Sequence, residues 1–122
     1  MKVLDVGQCN ADHGAIRRLI ESRFGATVER AHRLDDALAA LRGGGHALVL
    51  VNRVLDADGS EGLDIVRALK ADEALAQVPV MLVTNYSEHD QAAVALGAQP
   101  GFGKAQLSSA ATLDKLARFL AD

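Results

Sequence analysis

The chain has 122 residues, of which 49% are hydrophobic and 24% are charged, a balance typical of one globular domain with one packed core. Aromatic residues make up only 3% and tryptophan is absent, which argues against a stacking surface for single-stranded nucleic acid. The net charge of -3, without a block of one sign, removes the attraction that binding to duplex DNA requires. We therefore expect one domain over residues 1–122 with no nucleic-acid partner.

The sequence contains no recognisable targeting signal. Residues 1–6 are too short and too charged for a signal peptide, and no apolar run approaches the ~20 residues that cross a bilayer. The one cysteine, Cys9, leaves no pair for an internal disulfide and suits a reducing compartment. We expect a cytoplasmic location without a membrane partner.

The first half of the chain predicts two strand–helix units. Short runs at Val3–Val6 and Thr27–Ala31 predict strands, and apolar residues at helical spacing follow each of them. The apolar positions of the two helices are Ile16, Leu19, Ile20 and Phe24, then Leu34, Ala37, Leu38 and Leu41. Glycines follow both helices, at Gly25 and in the run Gly43–Gly45, as expected for helix C-termini.

The next two units contain continuously apolar strands, at Ala47–Val51 and Val78–Val83. Such runs are typical of parallel strands that are covered on both faces. Gly62–Ala71 predicts the third helix, and Ser87, with Asp90 three residues later, predicts the N-cap of the fourth, which Gly97 follows.

The last unit begins with a strand around Pro100–Gly103, which we infer from the order of elements because its two glycines lower strand propensity. Ser108 predicts the N-cap of a fifth helix. The apolar stripe of that helix is Leu113, Leu116, Ala117 and Leu120. The alternation predicts an α/β (βα)5 fold, a doubly wound parallel five-stranded sheet with helices on both faces. In such sheets functional residues collect where the strands end.

Several predicted strands end in small or polar residues: Gly7 and Gln8 after the first, Asn52 after the third, Thr84 after the fourth and Lys104 after the fifth. This pattern resembles the receiver domains of bacterial two-component response regulators, over essentially the whole chain. The resemblance implies a flavodoxin-like fold with strand order 2-1-3-4-5. It also implies that Thr84 and Lys104 are the family's switch threonine and its lysine.

Three departures from the family lie at the positions of its two metal-binding acids and its phosphoacceptor aspartate, which here are Gly7, Gln8 and Asn52. A glycine and two amides supply no negative charge to Mg²⁺, a cation that prefers carboxylate oxygens. Asn52 also lacks the carboxylate that forms an acyl phosphate. We therefore expect a degenerate phosphorylation pocket without a metal, a cofactor or aspartyl phosphorylation.

Two further departures surround the lysine. Gly101 stands where the family has its switch aromatic residue, so the switch position is expected to be lost. Ala105 replaces the proline that follows the family's lysine. Because a cis bond before a non-proline residue costs ~3 to 4 kcal/mol, we expect a trans bond that turns Lys104 away from Asn52.

The loop Arg53–Ser60 is about two residues longer than the family's usual connection. We expect Lys104 to cap carbonyl groups or to pair with Asp56 or Asp58 of this loop, and an anion site is the alternative. The loop resembles a calcium loop only superficially, because its glycine is misplaced and the closing glutamate is missing.

Asp5 is an acid in an apolar strand, so it needs a partner. We expect a hydrogen bond to a neighbouring strand end, or to Arg30 or Arg33, and a surrogate pocket acid is the alternative. Cys9 is expected to be a small loop residue, with a redox role as the alternative. The histidines form no zinc pattern and are expected at the surface. They are His13, His32, His46 and His89.

These observations favour a protein-interaction module of the pseudo-receiver type over an enzyme, because no catalytic set converges. In the family the fourth helix, fifth strand and fifth helix form the partner face, and its alanine-rich fourth helix here would permit a homodimer. The candidate face residues are Gln91, Ala92, Val94, Ala95, Phe102, Lys104 and Lys115. The alternative is a binder of a small anion or metabolite in the vacated pocket.

Overall fold

The computed structural model describes residues 1–121, so Asp122, the end of the predicted domain, lies outside the described residues. The strands are β1 (Lys2–Val6), β2 (Thr27–Ala31), β3 (His46–Asn52), β4 (Val80–Val83) and β5 (Gln99–Phe102). The helices are α1 (Asn10–Phe24), α2 (Leu34–Arg42), α3 (Gly62–Ala71), α4 (Ser87–Ala95), a 3₁₀ turn (Lys104–Gln106) and α5 (Ala110–Leu120). The predicted alternation is therefore confirmed.

All five strands are parallel, in the order β2-β1-β3-β4-β5, which confirms the predicted sheet. Alternate strand side chains face opposite layers of helix. On one side Leu4 and Val49 pack with residues of α2, α3 and α4, and on the other Val3 and Leu50 pack with residues of α1 and α5. No helix within residues 1–121 is long and apolar enough to cross a membrane.

β5 departs from regular pairing. Met81 pairs with Gln99 and Val83 with Phe102, so β5 contains one residue more than the β4 segment beside it. A Cβ atom at Gly101 would overlap the carbonyl oxygen of Leu82, so no side chain fits at this position. The glycines that lowered the strand propensity of this segment therefore include one that its geometry requires.

Two predicted helix caps are wrong. The N-cap of α4 is Tyr86 rather than Ser87, and no side chain caps that helix. Asp90 instead accepts a hydrogen bond of 2.9 Å from the backbone N–H of Gly101. α5 is capped by Ser109, one residue later than predicted, and its hydroxyl accepts from the N–H of Thr112.

Candidate functional site

Asn52 ends β3 with its side chain directed at backbone carbonyl groups. Its Nδ2 donates to the carbonyl oxygen of Val54 at 2.7 Å and to that of Gly7 at 3.2 Å. Both bonds need a nitrogen donor, which an ionised aspartate would not provide. The side-chain amide of Asn52 therefore joins the end of β1 to the loop that follows β3.

Gly7 lies beside a leucine of that loop. It adopts a positive φ of 80°, a conformation that side chains other than glycine rarely tolerate. A Cβ atom here would overlap Cδ2 of Leu55, which is 2% exposed. The Gly7 carbonyl also accepts the N–H of Asp56 at 2.9 Å. The space next to Gly7 is therefore filled by the loop.

The loop between β3 and α3 is closed by its own backbone. Leu55 N–H donates to the Ser60 carbonyl and Gly59 N–H donates to the Leu55 carbonyl, each at 2.8 Å. Gly62 N–H, at the first residue of α3, donates to the Arg53 carbonyl at 2.7 Å. Within residues 1–121, no group of three or more histidine, cysteine, aspartate or glutamate residues is arranged to hold a metal ion. Gly7, Gln8 and Asn52 offer no carboxylate to a Mg²⁺ ion, which prefers carboxylate oxygens.

Lys104 pairs with an acid that sequence reasoning missed. Its Nζ lies 2.7 Å from Oδ2 of Asp12 in the first turn of α1. The predicted pair with Asp56 or Asp58 is therefore wrong. The thiol of Cys9 donates to the same oxygen at 3.3 Å. The ammonium of Lys104 is the main cause of a lowered pKa of Asp12, and burial acts in the opposite direction.

The bond between Lys104 and Ala105 is trans, as predicted, and residues 1–121 contain no cis peptide bond. Lys104 nevertheless lines a cavity of about 220 Å³ together with Asn52 and Thr84. The hydroxyl of Thr84 accepts the N–H of Tyr86 at 3.2 Å, where the chain enters α4. We name Asp12, Asn52, Thr84 and Lys104 the pocket cluster.

Gln8 belongs to a second group, which we name the Asp5 cluster: Asp5, Gln8, His13 and Arg30. Asp5 is fully buried, and Nδ1 of His13 donates to its Oδ2 at 2.7 Å. His13 is therefore the hydrogen-bond partner, and the predicted bond to Arg30, Arg33 or a strand end is wrong. Arg30 lies opposite Asp5 on β2 but donates to the carbonyl of Gln8 instead.

Burial is the main influence on the acid of this cluster. It raises the pKa of Asp5 to about 6, although His13 and, to a smaller extent, Gln8 and Arg30 lower it. Among residues 1–121, four buried side-chain atoms of the cluster have no hydrogen-bond partner: Asp5 Oδ1, Gln8 Nε2, Gln8 Oε1 and Arg30 Nε. Burying a polar group without a hydrogen bond costs free energy of folding, so these four atoms lower the stability of the folded chain.

Two histidines are not at the surface, contrary to prediction. The side chain of His13 is 12% exposed and that of His46 is 1% exposed. His46 Nε2 on β3 lies 2.6 Å from Oε1 of Glu29 on β2, and β1 lies between these two strands. The sequence did contain a signal for this burial. An acid in a strand, such as Asp5 or Glu29, needs a hydrogen-bond donor, and a buried histidine can supply it.

The candidate partner face is only partly accessible. Gln91, Ala92, Val94 and Ala95 are exposed on α4, and Val94 is 41% exposed. Phe102 is 5% exposed and lies in the core beneath this face. Lys115 donates to the Gly101 carbonyl at 2.8 Å, so its ammonium group is held against β5.

Comparison with known proteins supports the fold. No protein-family model matches the chain. The receiver domain of a DNA-binding response regulator from Colwellia psychrerythraea is 21% identical with a TM-score of 0.80, covering 97% of this chain and 95% of that one. The activated N-terminal receiver domain of RstA from Klebsiella pneumoniae is 21% identical with a TM-score of 0.81, and 100% of each chain is covered. The chemotaxis protein CheY4 of Vibrio cholerae is 20% identical with a TM-score of 0.74 and 98% coverage of each chain. The chain thus has the five-stranded α/β fold of these receiver domains.

Proposed function

We propose that this chain is a pseudo-receiver, a protein-interaction module of the two-component signalling type that acts without aspartyl phosphorylation. The observation that carries the proposal is the hydrogen bonding of Asn52. Its amide nitrogen binds two backbone carbonyl groups, so the residue at the phosphoacceptor position has a structural role in which a carboxylate would repel both oxygens.

The packing at Gly7 supports the same proposal. A metal-binding acid at this position would have to adopt the positive φ and displace Leu55 from the space beside β1. Gln8, at the other acid position, is buried with the Asp5 cluster. Restoring the acids therefore requires a rearranged loop as well as three substitutions.

The alternative, an anion binder, loses support from the contact between Lys104 and Asp12. The ammonium group that would attract a phosphate or carboxylate is already paired with a carboxylate at 2.7 Å. An incoming anion would have to displace Asp12 or share Lys104 with it, which lowers the electrostatic gain. A protein-binding role makes no such demand on the pocket cluster.

We place the partner surface on the exposed residues of α4 with the adjoining edges of β5 and α5. Tyr86, at the N-cap of the same helix, is 58% exposed. Small alanine side chains on α4 would let a second copy of the chain approach closely, so a homodimer through this surface is part of the proposal. We propose no catalytic activity, and a cytoplasmic location stays a prediction.

The test is exposure to acetyl phosphate, or to beryllofluoride, with magnesium. We expect no gain of a phosphoryl group by mass spectrometry and no change in backbone amide chemical shifts, for the wild-type protein and for Asn52→Asp alike. The matched variant combines Gly7→Asp, Gln8→Asp and Asn52→Asp with Leu55→Ala, which clears the space beside β1. A magnesium-dependent phosphoryl group on any pocket residue of the wild-type protein would overturn the proposal.

A further inference from the structure

A groove unlike the pocket cluster lies between α2 and α3. It has a volume of about 480 Å³, compared with about 220 Å³ for the cavity beside Lys104. Its apolar lining comes from Leu34 and Leu38 of α2, Ile65 of α3 and Leu55 of the long loop. Cavities of about 300 to 1,000 Å³ are large enough to enclose several side chains or a small ligand.

Acids surround this apolar lining. Asp35, Asp58, Glu61 and Asp64 lie at its edge, and all four are exposed. Residues 33–36 and 53–67 together contain six carboxylates and three arginines. Their charges account for the whole net charge of -3, so the remainder of the chain is balanced. We name this feature the acidic groove.

Three arginines pair with three of the four acids at the edge of the groove. Arg33 lies 3.7 Å from Asp58, Arg53 lies 3.8 Å from Glu61, and Arg67 lies 2.9 Å from Asp64. These are surface ion pairs, which are weak and exchange readily with other partners. Within residues 1–121, Asp35 has no cationic partner. The groove therefore keeps an excess of negative charge around an apolar floor.

We propose that the acidic groove binds a basic amphipathic helix of a partner protein. Apolar side chains of that helix at positions i, i+3 or i+4 and i+7 would contact Leu34 and Leu38, which are half-buried. Lysine or arginine residues beside this stripe would pair with Asp35 at the start of α2 and would compete with the exposed Arg67 for Asp64 at the start of α3. The charge of the groove thus selects a basic partner, and its apolar floor selects an amphipathic one.

The walls of the groove favour a helix over an extended strand. Both α2 and α3 satisfy their own backbone hydrogen bonds, so they offer an incoming strand no backbone edge with which to pair. Side chains must therefore make the contacts, as in recognition of a helix by a groove. Leu55 and Asp58 come from the loop Arg53–Ser60, and Glu61 directly follows it.

The test uses a synthetic helical peptide of about 16 residues, with a leucine stripe and flanking lysines, titrated into the whole protein. One control peptide replaces lysine by glutamate, and the other replaces leucine by serine. We expect saturable binding of the lysine–leucine peptide only, weakened by added salt. Changes in amide chemical shifts should be confined to α2, α3 and the loop between β3 and α3.

Matched variants separate the groove from overall charge. Asp35→Lys with Asp64→Lys reverses two charges at the groove, and Glu88→Lys with Asp114→Lys makes the same change at exposed acids elsewhere. We expect about a tenfold or greater loss of affinity for the first pair and about twofold for the second. Circular dichroism checks that both fold.

Three results would overturn the acidic groove as a binding site. They are equal binding of the glutamate peptide, equal losses in the two double variants, and shift changes centred on α4. Val94→Glu, which alters the partner surface proposed above, should leave peptide binding unchanged. A failure of either surface is therefore distinguishable from a failure of the other.

Discussion

The pocket cluster and the Asp5 cluster lie near the same end of β1, and they differ in how well their polar groups are compensated. In the pocket cluster Asn52, Thr84 and Lys104 each make a hydrogen bond or ion pair, and the Lys104–Asp12 pair is about one-third exposed. In the Asp5 cluster a fully buried carboxylate has one donor, and four buried atoms have none.

The two clusters therefore differ in energetic cost. The polar groups of the pocket cluster are compensated by partners, and several of those in the Asp5 cluster are not. Among the positions that resemble the family's phosphorylation site, Asn52, Thr84 and Lys104 each make a hydrogen bond or ion pair, whereas Gln8 belongs to the Asp5 cluster. Asp5, which corresponds to no site residue in the resemblance, has the raised pKa and an unpaired oxygen. Perturbed acids mark functional sites only in part, because structural pairs perturb them too.

The largest effect that would test this contrast is expected for His13→Ala. Above pH 7 the variant leaves the Asp5 carboxylate buried without its hydrogen-bond donor, which we expect to lower the free energy of unfolding by about 3 to 5 kcal/mol. Urea denaturation measures this change. The double variant Asp5→Leu with His13→Leu removes both polar groups and should recover much of the loss. A loss below about 1 kcal/mol for His13→Ala would mean that the two clusters are alike.

A smaller effect is expected from pH. The pKa of Asp5 is about 6 in the folded chain, above its ordinary value of 3.8, so the folded state binds more protons between these values. Its contribution to stability is complete below about pH 4 and is lost as the pH rises through about 6, a decrease of about 2 to 3 kcal/mol.

Denaturation of the wild-type protein and of Asp5→Asn at intervals between pH 4 and pH 6 measures the contribution of the Asp5–His13 pair, because groups that do not contact Asp5 titrate in both. The wild-type protein should lose stability relative to the variant as the pH rises. The pKa of Asp12, which Lys104 lowers, has the opposite sign, because its contribution is lost only as the pH falls below the ordinary range. A wild-type advantage that grows toward pH 6 would contradict the burial effect on Asp5.

The smallest effect is expected for Lys104→Ala. It breaks an ion pair whose side chains are 32% and 35% exposed, so the free energy of unfolding should fall by only about 0.5 kcal/mol. Thermal denaturation with and without high salt measures the change, and Asp12→Asn is the matched partner. A loss comparable with that of His13→Ala would show that Lys104 has a structural role that its exposure conceals.

Patterns local in sequence predicted the fold well. The bounds of β2 and α3 agree with prediction to the residue, because apolar periodicity and the flanking glycines act within one element. β4 begins two residues later than predicted, at Val80, since Val78 and Pro79 precede the sheet pairing. The predicted N-caps were each wrong by one residue. The N-cap of α4 is Tyr86 instead of Ser87, and that of α5 is Ser109 instead of Ser108.

The site could be predicted only as a set of positions. Asn52, Thr84 and Lys104 do come together around one cavity, as the order of parallel strands requires. The partners of Lys104 and Asp5 come from α1, where Asp12 and His13 are adjacent residues that point to different clusters. Helical geometry turns successive side chains by about 100°, so a one-residue difference decides which cluster each joins. Propensity carries no information about that choice.

The backbone of Gly101 joins the three elements of the partner surface by hydrogen bonds. Asp90 of α4 holds its N–H at 2.9 Å, and Lys115 of α5 holds the carbonyl of the same residue at 2.8 Å. A single residue of β5 therefore fastens both flanking helices, and the three elements should move as one body. A partner that binds these three elements would meet a surface whose parts are already joined, which lowers the conformational entropy lost on association.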